Sequence, residues 1–155
     1  YSHNFGHKTA TSFYGLGING KMSELNAAMG LSVLPYMDNI ITDRKKVVDY
    51  YNENLNFSKL KTIKIRKDTK WNYSYYPIIF NNEKTLLKVI EALSKKDIYP
   101  KRYFYPSLNN LEYLDNTKMP VSDSIAKRVL CLPLYTTLKI NELKTICDII
   151  NPFLS

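Results

Sequence analysis

The residues best suited to chemistry fall into two short segments. The first is Gly17-Ile18-Asn19-Gly20-Lys21, where a side-chain amide and an ammonium stand among glycines. The NH₂ of Asn19 can donate to a phosphate oxygen, and Gly17 and Gly20 let the backbone approach such a group closely. The same residues also suit a glycine-rich turn shaped by its asparagine. Lys21 can meet a diphosphate or a carboxylate as a point charge, or simply stand in water ahead of a helix. The second segment is Lys101-Arg102-Tyr103-Phe104-Tyr105-Pro106. Arg102 can grip a phosphate through paired N–H donors, with Tyr103 or Tyr105 near a sugar or base. The alternative is an edge strand whose aromatic side chains pack into a core.

The remaining reactive residue types read as structural. Glu24 suits the first turn of a helix, where the dipole favours a carboxylate. His3 and His7 are four residues apart, but no third ligand accompanies them and their segment lacks a helical pattern, so no metal site is predicted. Cys131 and Cys147 have no metal-ligand spacing and sit among apolar residues, which makes them small core residues of a reduced, cytoplasmic protein. No glycine-rich nucleotide loop follows a predicted strand. No convincing Ser-His-Asp or Cys-His arrangement is present.

The chain has 155 residues, 45% hydrophobic and 23% charged, values of an ordinary globular protein rather than a disordered one. No apolar run reaches the ~18 residues of a membrane span, and the first residues do not form a signal peptide. Tyr1 is not an initiator methionine, so we expect the sequence to be part of a longer chain. The net charge of +8 and 13 tyrosines leave open a module that stacks single-stranded bases. The lysines are scattered, however. The densest run, Arg44-Lys45-Lys46, reads as the solvated face of a helix.

Hydrophobic period then supplies the elements that must position these residues. Residues 1–21 read as loop. Ser23 is a plausible N-cap for a helix carrying Leu25, Met29 and Leu31, and Pro35 stops or kinks it at Leu34. A second helix follows, apolar at Ile40, Ile41, Val47, Val48, Tyr51 and Leu55. Residues 60–65 alternate as a half-exposed strand, and 73–80 read as a central strand despite Pro77. Residues 84–95 form an amphipathic helix, and 98–104 an extended segment. A short helix is capped at Ser122 or Asp123, a buried strand spans 129–132, and a closing helix spans 140–153. The expected fold is α/β, a small sheet flanked by helices and preceded by a long leading helix.

The run from Gly17 to Leu31, Gly-Ile-Asn-Gly-Lys-Met-Ser-Glu-Leu-Asn-Ala-Ala-Met-Gly-Leu, resembles a block of the DegT/DnrJ/EryC1/StrS aminotransferases. Asn4-Phe5-Gly6, Asp43-Arg44-Lys45, Arg102–Pro106 and the Val-Leu-Cys-Leu-Pro of residues 129–133 resemble further family segments in the same order. The resemblance implies the C-terminal portion of a fold-type I pyridoxal-phosphate (PLP) enzyme. Such enzymes aminate keto sugars carried on nucleotides, usually with glutamate as donor, in polysaccharide or related amino-sugar biosynthesis. It implies residues 1–34 as the end of a large PLP domain with a linker helix, and 35–155 as the small C-terminal domain.

By the same resemblance, the lysine that holds the cofactor lies upstream of Tyr1, so no catalytic residue is expected within this chain; Lys8 and Lys21 stand in the wrong motif. Asn19 is expected to reach the PLP phosphate of the neighbouring subunit, which implies a homodimer. Lys21, Arg102, Tyr103 and Tyr105 are expected on the substrate side, and Arg102–Pro106 favours a dTDP-linked keto-6-deoxyhexose. Neither a nucleic-acid nor a membrane partner is implied. The alternatives are a PLP-binding regulatory relative without transaminase activity, or the basic nucleic-acid module.

Overall fold

The structure is a computed structural model and describes residues 4–115 and 117–154. Its chain divides into two compact units, Tyr1–Asp38 and Asn39–Ser155.

In the first unit a backbone hairpin precedes a helix. Phe5 donates its N–H to the Ile18 carbonyl at 3.1 Å and Tyr14 donates to that of Gly6 at 2.8 Å. Gly6 is required there. Its φ is +78°, and a Cβ would lie 2.1 Å from the Gly15 carbonyl oxygen. Helix α1, Glu24–Val33, starts at Ser23, whose hydroxyl accepts the Asn26 N–H at 3.3 Å. No residue of α1 is buried. The predicted interruption at Pro35 is a single 3-10 turn, Leu34–Tyr36, since proline offers no N–H for the helical ladder. Helix α2, Met37–Asn54, follows at once.

The second unit holds the core. Strands β1, Leu60–Thr62, β2, Tyr76–Phe80, and β3, Val129–Leu132, form one antiparallel sheet in that order. Alternation decides which side chains point inward. Tyr76, Ile78 and Phe80 of β2 join Leu130 and Leu132 of β3 in the main core. They are covered by Val48 and Tyr51 of α2, by Leu86 and Leu93 of α3 (Glu83–Ser94), and by Ile146 and Ile150 of α5 (Ile140–Ile150). The phenol of Tyr51 donates to the Pro133 carbonyl at 2.9 Å and that of Tyr76 to Asn52 at 2.6 Å, so neither buried hydroxyl is orphaned. Burial disfavours the phenolates and pushes both groups well above the ordinary tyrosine range. Both cysteines are free and buried, as expected of core residues. Burial pushes the Cys147 thiol up to about 11, which keeps it protonated and unreactive.

Three expectations change. The strand predicted over 60–65 ends at Thr62. Pro77 lies opposite the next position and has no N–H to offer, so the Thr62 hydroxyl bonds the Pro77 carbonyl at 2.8 Å instead. The extended segment 98–104 is not a strand. Pro100 interrupts its donors, and only Lys101 pairs, exchanging both backbone bonds with Cys131 at 3.1 and 2.8 Å. Helix α4, Pro120–Ala126, begins before the expected caps, with the proline in its first turn.

Candidate functional site

Asn19 and Lys21 stand in the extended stretch between the hairpin and α1. The bond from Phe5 to Ile18 anchors the chain immediately before Asn19, and the Ser23 cap anchors the start of α1 two residues after Lys21. Both side chains are exposed. Among the described residues no hydrogen bond engages the Asn19 amide and no ion pair engages Lys21. An uncommitted amide donor two residues from an uncommitted ammonium fits part of an anion's shell, such as a cofactor phosphate. Lys8 is committed elsewhere, its Nζ lying 5.6 Å from the centre of the Tyr14 ring. His3 lies outside the described residues, and the His7 ring packs on Phe13 with centroids 4.3 Å apart. No group of metal-ligating side chains occurs among the described residues.

The other predicted residues meet in the second unit. Once Lys101 has bonded Cys131, the chain leaves the sheet edge and places Arg102 beneath α3. The guanidinium donates from Nη2 to the Glu83 carboxylate at 2.7 Å and to the Lys127 carbonyl at 3.1 Å. Its Cζ sits 3.6 Å from the centre of the Tyr105 ring, a close cation–π stack. Only 18% of the Arg102 side chain is exposed, against 40% of Tyr103 and 48% of Tyr105. The structure therefore brings Arg102 and the two tyrosines together, but commits both Nη2 hydrogens and one face of the guanidinium to the protein.

Tyr103 also borders a cleft of about 440 Å³, within the usual range for small-molecule pockets. Tyr75, Tyr99 and Tyr135 line it with Lys101. Tyr75 meets Tyr103 edge to face, with ring centres 5.4 Å apart. Sequence reasoning overlooked Tyr75, although strand alternation could have found it: the next residue, Tyr76, is buried, so Tyr75 points the other way. It also overlooked Glu83, the first residue of α3, which lies just outside the helix predicted from residue 84. Nothing local marks a carboxylate whose partner lies 19 residues on.

Comparison with known proteins settles the class. A DegT/DnrJ/EryC1/StrS aminotransferase from Brucella abortus superposes with a TM-score of 0.80 over 98% of this chain and 41% of its own, at 22% identity. A putative sugar aminotransferase, Spr1654 from Streptococcus pneumoniae, solved in a PLP form, does so with a TM-score of 0.76 over 92% and 38% at 20% identity. The fold is thus that of this group of aminotransferases.

Residues 1–151 match the DegT/DnrJ/EryC1/StrS aminotransferase family, and the chain belongs to it. The dTDP-4-amino-4,6-dideoxy-D-glucose transaminase of Escherichia coli is 36% identical over 87% of this chain. The chain spans about 39% of that relative's length.

Proposed function

We propose that the intact protein is a PLP-dependent aminotransferase acting on a keto-deoxy sugar nucleotide. In this reading it takes the amino group from an amino acid, glutamate first among candidates. The product would enter cell-surface polysaccharide or a related amino sugar. The observation that carries the reading is the 36% identity to a relative named a dTDP-4-amino-4,6-dideoxy-D-glucose transaminase. It favours a dTDP-linked 4-keto-6-deoxyhexose as acceptor. The PLP form of a structural neighbour supports the cofactor.

When bound, PLP supplies the electron sink that amino transfer requires. This chain's part is to bind and orient. Asn19 donates its amide to the cofactor phosphate of the neighbouring subunit. Lys21 faces the substrate's diphosphate as a point charge. Tyr103 and Tyr105 flank the sugar or base, and Arg102 adds positive charge behind them. No catalytic residue is assigned within residues 1–155. A homodimer is supported by the composition of α1, whose Leu25, Met29 and Leu31 are exposed by 74, 60 and 71%. A helix apolar on all sides is one that other protein normally covers.

The test is incubation of the intact purified protein with dTDP-4-keto-6-deoxyglucose and glutamate. The expected result is a dTDP-amino sugar by mass spectrometry with matching 2-oxoglutarate. A holo-protein that yields no amino sugar from any keto-sugar nucleotide would contradict the reading and favour a regulatory relative. Light scattering of an active monomer would contradict the dimer.

A further inference from the structure

We infer that Arg102 is a positioning residue, held by Glu83 so that it fixes Tyr105 and Tyr103 against the substrate, and does not itself grip the substrate's phosphates. The inference deepens the reading above and rests on it for the identity of the ligand.

Three contacts carry it. The Glu83 carboxylate takes an Nη2 hydrogen of Arg102 at 2.7 Å, from the first turn of α3. The Lys127 carbonyl, at the end of α4, takes Nη2 at 3.1 Å. The flat face of the guanidinium is covered by Tyr105 at 3.6 Å. Both Nη2 hydrogens are taken and Nε is enclosed without a partner, so neither the Nε–Nη2 edge nor the Nη1–Nη2 edge offers two donors to an incoming anion. A two-bond grip on a phosphate would need one of those edges freed, at the cost of a partly buried ion pair. The arrangement is a clamp instead. One guanidinium ties the start of α3, the end of α4 and the loop after Lys101 to a single aromatic ring. The more exposed faces nearby belong to Tyr103 and Tyr105. Arginine suits this role better than lysine, since only a planar cation can bond in its plane while stacking on its face.

The two roles predict opposite behaviour for Glu83. If Arg102 grips phosphate directly, Glu83 competes for it, and Glu83→Gln should leave dTDP affinity equal or higher. If Arg102 positions, Glu83→Gln should weaken dTDP binding to the intact protein about tenfold, and Arg102→Ala by a similar factor. The double variant should then be little worse than either single, because both break one unit. Titration calorimetry with dTDP reads these factors. Arg102→Lys should not rescue, whereas Tyr105→Phe, which keeps the stacked ring, should lose less than Tyr105→Leu.

A readout without nucleotide separates the clamp from the proposed substrate. Nitration of Tyr105 in the free protein should rise in both Glu83→Gln and Arg102→Ala. Unchanged nitration in both overturns the clamp whatever dTDP does. Raised nitration with no dTDP binding to the wild type overturns the nucleotide-sugar reading and, with it, the assignment of these tyrosines to the substrate. Unimpaired dTDP affinity in Glu83→Gln beside a large loss in Arg102→Ala restores direct contact and defeats the inference.

Discussion

In residues 39–155, Tyr51, Phe80, Leu93 and Ile150 are at most 1% exposed, whereas in the first unit Leu16, Leu25 and Leu31 keep 99, 74 and 71% of their surface. The two units differ in composition as well as in architecture: all five glycines lie in the first, and 20 of the 22 lysines and arginines lie in the second. The second encloses a sheet with α2, α3 and α5, so its apolar side chains stabilise one another by leaving water. The first is organised by main-chain bonds around Gly6 and by a capped helix with no buried residue. Each part of the sequence is therefore constrained differently. Substitution in the second unit is felt through packing. In the first it is felt through backbone geometry and through what Asn19 and Lys21 can touch.

Truncating the two units should expose this contrast most strongly. Phe80→Ala removes a buried ring from β2 and should cost about 3–5 kcal/mol in denaturant unfolding. Leu25→Ala, on an α1 left uncovered in residues 1–155, should change the unfolding of this chain taken alone by no more than about 0.5 kcal/mol. Equal losses would erase the distinction. Next in size is Gly6→Ala, which forces a Cβ against the Gly15 oxygen and should cost the hairpin about 1–3 kcal/mol. Hydrogen exchange should quicken at the amides of Phe5 and Tyr14, with the amides of β2 unaffected.

Alkaline pH should act on the second unit through Tyr51 and Tyr76, both buried there. Tyr51 is held protonated by burial, so its folded pKa lies above its unfolded value near 10. The stability it contributes is complete below about pH 10 and falls above it, by about 1.4 kcal/mol for each further pH unit. Tyr51→Phe should make the overall decline shallower and leave the part due to Tyr76, and an unchanged slope would mean the Tyr51 phenol reaches water when folded. The smallest effect concerns caps. Asn82 accepts the Thr85 N–H at 2.9 Å, and Asn82→Ala should lower unfolding stability by about 1 kcal/mol. Ser23→Ala should only fray α1, seen as lost helical signal before the main transition.

Much of this division was legible in the residues. Ser23 and Pro35 mark both ends of α1 by local chemistry, and Val129–Leu132 reads as a buried strand because every side chain is apolar. What escaped was non-local. The end of β1 depends on Pro77 of the neighbouring strand, and the reduction of the extended segment 98–104 to a single bridge depends on how Lys101 meets Cys131. The site divides the same way. Asn19 and Lys21 are proposed from motif and glycine spacing, and the fold engages neither side chain among the described residues. The commitment of Arg102 was not legible, because Glu83, Lys127 and Tyr105 come together only in the fold.

On the reading proposed above, the first unit presents Asn19 to the cofactor phosphate while the second provides the stability. The most direct test is Asn19→Ala in the intact enzyme, with PLP content read by absorbance after dialysis and unfolding followed on the same sample once the cofactor has been removed. The account predicts that the variant loses PLP far faster than the wild type while the apo-protein unfolds at the same denaturant concentration. Cofactor occupancy equal to wild type after dialysis would contradict it.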